Sequence, residues 1–141
     1  MQIKVSDFGC GFYGKQTSAG YIQSRFYRAP EVILESSCDP SIDIWSLGCL
    51  LSELYTGEPL FPGRNTQDQL QRIISIIGQP PPELLQHCPE DLKKVSESFH
   101  QHRTLHSEIP TPLFSDFISQ CLKYTNRTTP QNALLHPWLN T

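Results

Sequence analysis

The sequence predicts a mainly α fold gathered around one buried helix. Three observations carry that expectation. Residues 39–57, "DPSIDIWSLGCLLSELYTG", place Ile42, Ile44, Trp45, Leu47, Leu50, Leu51, Leu54 and Tyr55 on nearly every side of a helical axis. A helix apolar on most sides is enclosed by the rest of its fold. Two further stretches, 65–78 and 112–122, repeat apolar residues at three- and four-residue steps, whereas only residues 2–6 alternate as a strand does.

The elements follow in order. In "QIKVS" (2–6), Ile3 and Val5 share one face and read as a short strand. Residues 9–29 hold four glycines and no helical period. They form a long loop, and a loop of that length inside a compact domain is usually functional. Pro40 or Ser41 starts the central helix and Gly57 stops it. Asn65 or Thr66 caps the next, over 66–77, where Asp68 suits the positive end of the helix dipole. Leu70, Ile73, Ile74 and Ile77 give it one apolar stripe, and Gly78 with the prolines at 80–82 ends it. After a polar stretch (89–111), Leu113, Phe114, Phe117, Ile118, Cys121 and Leu122 repeat the stripe. Thr129 as cap, with Pro130 in the first turn, opens the last helix. The total is one strand and four to five helices.

Composition narrows the function classes. The 141 residues suffice for one domain with a real core. Hydrophobic residues at 38% and charged residues at 18% exclude a disordered or fibrous chain. A net charge of −3 offers no basic footprint for nucleic acid or a membrane surface. Five cysteines, odd in number and without a C-x-x-C pair, argue against a disulfide framework or a zinc knuckle and fit a reducing interior. No apolar run is long enough to span a bilayer. A cytoplasmic or nuclear location is expected.

Two phosphate-handling patterns overlap near the start. "GCGFYG" (9–14) spells the G-x-G-x-x-G of dinucleotide-binding turns, and "DFG" (7–9) spells a metal-binding triplet. The first requires a helix opening at the third glycine, so that its amides meet a pyrophosphate. "GKQTSAGYIQSRFYRAPE" has no apolar stripe, is interrupted by Gly20, and ends at Pro30. Asp7 would also set a carboxylate beside the phosphates. The dinucleotide reading therefore fails on context.

From Asp7 onward a set of short motifs keeps a fixed order: "DFG" at 7–9, "APE" at 29–31, "DIWSLG" at 43–48, Arg127, and "HPWL" at 136–139. That ordered set resembles the second half of a eukaryotic protein kinase catalytic domain and covers essentially all of the chain. "YIQSRFYRAPEVIL", "IDIWSLGCLLSELYTGEPLFPG" and "IIGQPPPELL" are similar to the CMGC group, and within it to the dual-specificity tyrosine-regulated kinases, with the homeodomain-interacting kinases a close second. That family carries Tyr-x-Tyr before "IQSRFYR"; here Tyr21 is retained and Ala19 replaces the first tyrosine. The resemblance implies a partial kinase C-terminal lobe over 1–141, with residues 9–29 as its activation loop.

The resemblance also implies roles. Asp7, with Phe8 and Gly9, would serve the nucleotide site, Asp7 binding Mg²⁺ that bridges ATP phosphates, since a hard cation prefers carboxylate oxygen. Tyr21 would be phosphorylated and clamped by Arg25 and Arg28, a phosphate bringing nearly two negative charges. Arg28 would also shape the pocket that favours proline after the target residue. Glu31 and Arg127 would form a buried ion pair. Asp43 would support the backbone of the catalytic loop. Cys10 reads as a plain loop cysteine.

What these 141 residues lack is equally specific. The catalytic loop H-R-D-x-x-x-x-N, the ATP-anchoring lysine and the true glycine loop precede DFG in the family, and Asp7 is the seventh residue here. No catalytic residue is therefore expected. "HRTLH" (102–106) imitates the catalytic loop but has Thr104 in place of the aspartate and Ile109 in place of the asparagine. With His100, His102 and His106 at a spacing that suits no helix face, it reads as a solvated loop. Without the catalytic loop Asp43 would be a buried acceptor lacking partners, and Trp45, Leu50 or Leu54 would be partly exposed and prone to association. The parent activity implied is ATP γ-phosphoryl transfer to Ser/Thr of protein substrates, with Tyr autophosphorylation and an inert isolated chain. The alternative is a non-catalytic interaction module that binds substrates or regulators of an intact kinase through 66–77 and the activation segment.

Overall fold

In the computed structural model, which describes residues 2–16 and 20–140, the helix α2 (Ile42–Thr56) runs through the middle of the packing. Asp39 Oδ1 accepts from the Ser41 amide at 2.8 Å just ahead of it. Gly57 closes it with φ 84°, a left-handed conformation natural to glycine, donating its amide to Glu53. Before α2 come a 3₁₀ turn (Arg25–Tyr27) and α1 (Pro30–Ile33). After it come α3 (Thr66–Ile77), α4 (Pro82–Leu85), α5 (Glu90–Ser98), α6 (Leu105–Glu108), α7 (Pro112–Cys121), α8 (Pro130–Leu134) and a closing 3₁₀ turn (Pro137–Asn140).

The core is built on α2. Trp45 is fully buried, with its ring stacked on Phe61 at 5.8 Å and tilted against Tyr124 at 6.5 Å. Gly48 faces α7 so closely that a Cβ there would stand 2.9 Å from Cys121 Cβ and Leu122 Cδ2. Its missing side chain is what lets the two helices meet. On the far side of α7, Phe114 and Phe117 pack on Trp138 at 4.6 and 5.0 Å. His136, also buried, accepts the Trp138 amide on Nδ1 at 3.1 Å. Its proton therefore sits on Nε2, which donates to Asp116 Oδ2 at 2.9 Å. The stripe of α3 buries Leu70, Ile73 and Ile74 completely.

Three expectations are corrected here. Residues 2–8 form no strand, and Ile3 and Val5 are 85% and 79% exposed. A strand needs a neighbour for its backbone groups, and the bridge found among the described residues joins Gln16 to Cys38 instead. Trp45 is sealed by Phe61, Tyr124 and Arg127, whereas Leu50 (45%) and Leu54 (72%) are exposed as expected. The polar stretch 89–111 carries two helices, α5 and α6. No helix of the described residues is long and apolar enough to cross a membrane.

Candidate functional site

Gln23 and Tyr27 bond to α2, while Asp7, Phe8 and Cys10 share a cleft with its first turn, and the site is built along those contacts. Asp7 has φ 63°, sparsely populated by residues other than glycine. The Gly11 amide donates to Phe8 O at 2.9 Å and turns the chain back. Asp7, Phe8 and Cys10 thereby line a cleft of about 420 Å³ whose opposite wall is Gln23, Ile42 and Asp43. Asp7, Phe8 and Gly9 are all exposed, Phe8 by 73%. Asp43 is exposed as well. The cost of a buried unpaired acceptor does not arise, because water reaches the carboxylate.

Next along the chain, Tyr21 and the two arginines come together. The Arg28 guanidinium lies 3.9 Å over the Tyr21 ring. Arg28, and after it Arg25, hold the Tyr21 hydroxyl below the ordinary phenol range. The two arginines are held differently. Arg28 is buried and fastens its own loop, donating from Nε to Ile22 O at 2.8 Å and from Nη2 to Gln23 O at 2.7 Å. Arg25 donates from Nη1 to Arg64 O at 2.7 Å, while its buried Nε has no partner. Ala19, the altered neighbour of Tyr21, lies outside the described residues.

Gln23 was not singled out by sequence reasoning, yet it ties the segment to α2. Its φ is 60°. Its Nε2 donates to Ile42 O at 3.1 Å and Ser46 Oγ at 2.9 Å, and its Oε1 accepts the Ala29 amide at 3.0 Å. A glutamine in a polar loop carries no pattern that would mark it. Tyr27 adds a second tie, donating to Glu53 Oε2 at 2.6 Å, and that carboxylate raises the phenol above its usual range.

The segment ends in the ion pair that the sequence anticipates. Arg127 Nη1 and Nη2 meet Glu31 Oε1 and Oε2 at 2.5 and 2.7 Å, with side-chain exposures of 1% and 8%. Arg127 also donates from Nε to Lys123 O at 2.7 Å and lies over the Trp45 ring. One guanidinium thus joins α1, α2 and the turn after α7.

His100, His102 and His106 are exposed, but His106 lies in α6 rather than in a loop. Thr104 caps α6 in a reciprocal bond with Ser107, which accounts for a threonine there. Cys10 is exposed and free.

Residues 1–139 match the protein kinase domain. Human dual specificity tyrosine-phosphorylation-regulated kinase 4 is 40% identical over 98% of this chain and 30% of its own length. The DYRK-family kinase pom1 of Schizosaccharomyces pombe is 41% identical over 98% of this chain and 14% of its own. The tyrosine-phosphorylation-regulated kinase mbk-2 of Caenorhabditis elegans is 36% identical over 97% of this chain and 21% of its own. The chain spans less than a third of the length of these relatives. Matched almost from end to end, it belongs to the protein kinase family, with its kinship among the dual-specificity tyrosine-phosphorylation-regulated members.

Proposed function

We propose that the chain is the C-terminal-lobe portion of a dual-specificity kinase that transfers the γ-phosphoryl group of ATP to Ser/Thr of proteins and autophosphorylates Tyr21. The observation that carries this reading is the cluster of Tyr21, Arg28 and Arg25, held to α2 through Gln23 and set beside the cleft of Asp7. Arg28 is already fixed in a geometry that presents its face to the tyrosine. A phosphate on Tyr21 therefore meets two cations with little further ordering of the loop.

The donor chemistry at Asp7 fits Mg²⁺ shared with a nucleotide. Magnesium keeps several waters and takes one or two carboxylates together with substrate phosphates. Asp7 supplies one exposed carboxylate and Asp43 faces the same cleft, and among the described residues no group of three or more His, Cys, Asp or Glu side chains forms a closed cage. When bound, the ion would neutralise phosphate charge; Asp7 would hold it. Arg28 and Gln23 would keep the substrate-facing loop in place.

The 141-residue sequence carries no H-R-D-x-x-x-x-N motif, from which the family takes the group that accepts the proton of a substrate hydroxyl, so the chain alone is inert in this reading. The test has two arms. Incubated with ATP, Mg²⁺ and a Ser/Thr-Pro peptide, the isolated chain should transfer no phosphate; turnover would overturn its inertness. Joined to an upstream kinase segment from a relative, the same chain should become active and gain phosphate on Tyr21 by mass spectrometry. Asp7→Asn should then abolish transfer, and persistence of activity would sink the assignment of Asp7.

The second reading, a non-catalytic interaction module, is favoured by the apolar face of Leu47, Leu50 and Leu54 on α2. The apolar side of α3, by contrast, is buried. Calorimetric titration of the chain with an intact kinase of this family separates the readings, since binding without ATP is expected only of the module.

A further inference from the structure

The buried Nε of Arg25 is a hydrogen-bond donor with nothing to donate to. Such a group costs stability in this state, and any state that supplies it an acceptor is favoured by comparison. The rest of the same guanidinium is committed elsewhere: Nη1 donates to Arg64 O at 2.7 Å. Arg64 stands where the chain enters α3. Its amide donates to Asp68 Oδ2 at 2.8 Å, and the following Asn65 caps α3 by accepting the Asp68 amide at 2.8 Å. Glycine at 63 completes the turn because a Cβ there would fall 2.3 Å from Gln69 Oε1 and 2.6 Å from Gln69 Cα. The entry to α3 is thus a tight set of local bonds, and Arg25 reaches it from across the molecule. Arg25, after Arg28, also draws the Tyr21 hydroxyl below the ordinary phenol range, and Tyr21 shares a pocket with Thr66, the first residue of α3.

We propose that Arg25 is a positioning residue through which phosphorylation of Tyr21 rigidifies the entry to α3. A guanidinium presents five donors in a fixed planar fork, so its edges can be shared between two acceptors at once. Arg25 Nε and Nη2 would bind phosphate oxygens while Nη1 stays on Arg64 O. The phosphate satisfies the orphan donor, restrains the plane of the guanidinium, and so restrains the Arg64 carbonyl and the cap at Asn65. Arg28 cannot transmit the same signal, because its donors return to Ile22 and Gln23 within its own loop. This inference rests on the proposed phosphorylation of Tyr21 and adds to it a direction of travel, towards α3 rather than only within the loop.

The full chain carrying phosphotyrosine at position 21, introduced during translation, is compared with the unmodified chain. Backbone hydrogen exchange is followed at 62–69, with 130–139 as a distant control, and the phosphate titration is followed by phosphorus NMR. Exchange at the Arg64 and Asp68 amides is expected to slow by about tenfold on phosphorylation, with the control unchanged. Arg25→Lys, which keeps the charge but loses the fork, should remove that slowing while leaving the phosphate titrating below its value in free phosphotyrosine, through Arg28. A depressed phosphate titration with unchanged exchange at 62–69 would overturn the coupling and leave the clamp intact. A phosphate that titrates as it does in the free amino acid would overturn the clamp itself. Equal slowing in the Arg25→Lys chain would show that another residue carries the signal.

Discussion

Single residues here do work that spans the whole chain. Glu31 and Arg127 are 96 positions apart and share two hydrogen bonds in a dry interior. Replacing Arg127 by Met strands a buried carboxylate, at a cost of roughly 3–5 kcal/mol. Urea unfolding should show that loss, and the double variant Glu31→Leu with Arg127→Met should recover part of it, since a buried pair and a packed apolar pair are often near equal. No recovery would mean that the ion pair itself holds the three elements in register. Gly48 makes the opposite kind of demand. Ala at 48 pushes its methyl group into Cys121 and Leu122, whose atoms lie 2.9 Å from the new Cβ. Overpacking of that kind costs about 1–3 kcal/mol, and a thermal melt of Gly48→Ala at or above the parent value would contradict the close approach of α2 and α7.

Among the elements, α3 depends most on its first turn. Asp68 is held below its usual carboxylate range, first by the Arg64 amide, with the Arg72 guanidinium also favouring the ionised form. A depressed folded value means that its stabilisation is complete above the unfolded value of about 4 and is lost as pH falls through the folded one. Asp68→Asn should therefore lower stability near neutrality, where that stabilisation is complete, and converge on the parent as pH falls through the folded value, flattening the acid limb in a denaturant titration across pH. How far the sequence exposed these elements varies with the strength of local signals. The stop at Gly57 and the caps at Asn65 and Thr129 were legible because each is a local bond between near neighbours. The strand at 2–6 was misread because alternation reports only that one face is apolar, not that a partner strand exists. Helix α5 was hidden by its charged surface, with Leu92 and Ser96 as its fully buried positions. Of the site, the ion pair and the tyrosine with its arginines could be anticipated from motif order. The role of Gln23 could not, since it arises from a positive φ and bonds to α2 that no spacing encodes.

For the whole molecule the central fact is asymmetry around α2. One side is sealed by Trp45, Phe61 and α7, while the other exposes Leu50 and Leu54 at 45% and 72%. A face of that kind invites association. Light scattering should find the chain self-associating as concentration rises, and Leu50→Glu with Leu54→Lys should suppress this. Surface changes away from the packed side are expected to alter folding stability by about 0.5 kcal/mol or less. Suppressed association with a large stability loss would place these leucines in the core after all.

Two tryptophans end up in unlike surroundings. Trp45 is sealed between Phe61 and the Arg127 guanidinium with its indole N–H unbonded, whereas Trp138 sits half-buried in the closing turn beside Phe114 and Phe117. Their fluorescence should therefore differ in colour, Trp45 emitting to the blue and shielded from iodide, Trp138 further to the red and quenched by it. With Trp138→Phe the remaining emission becomes an optical gauge of the helix core alone, and its shift on unfolding would time the opening of that core separately from fraying at the chain's end.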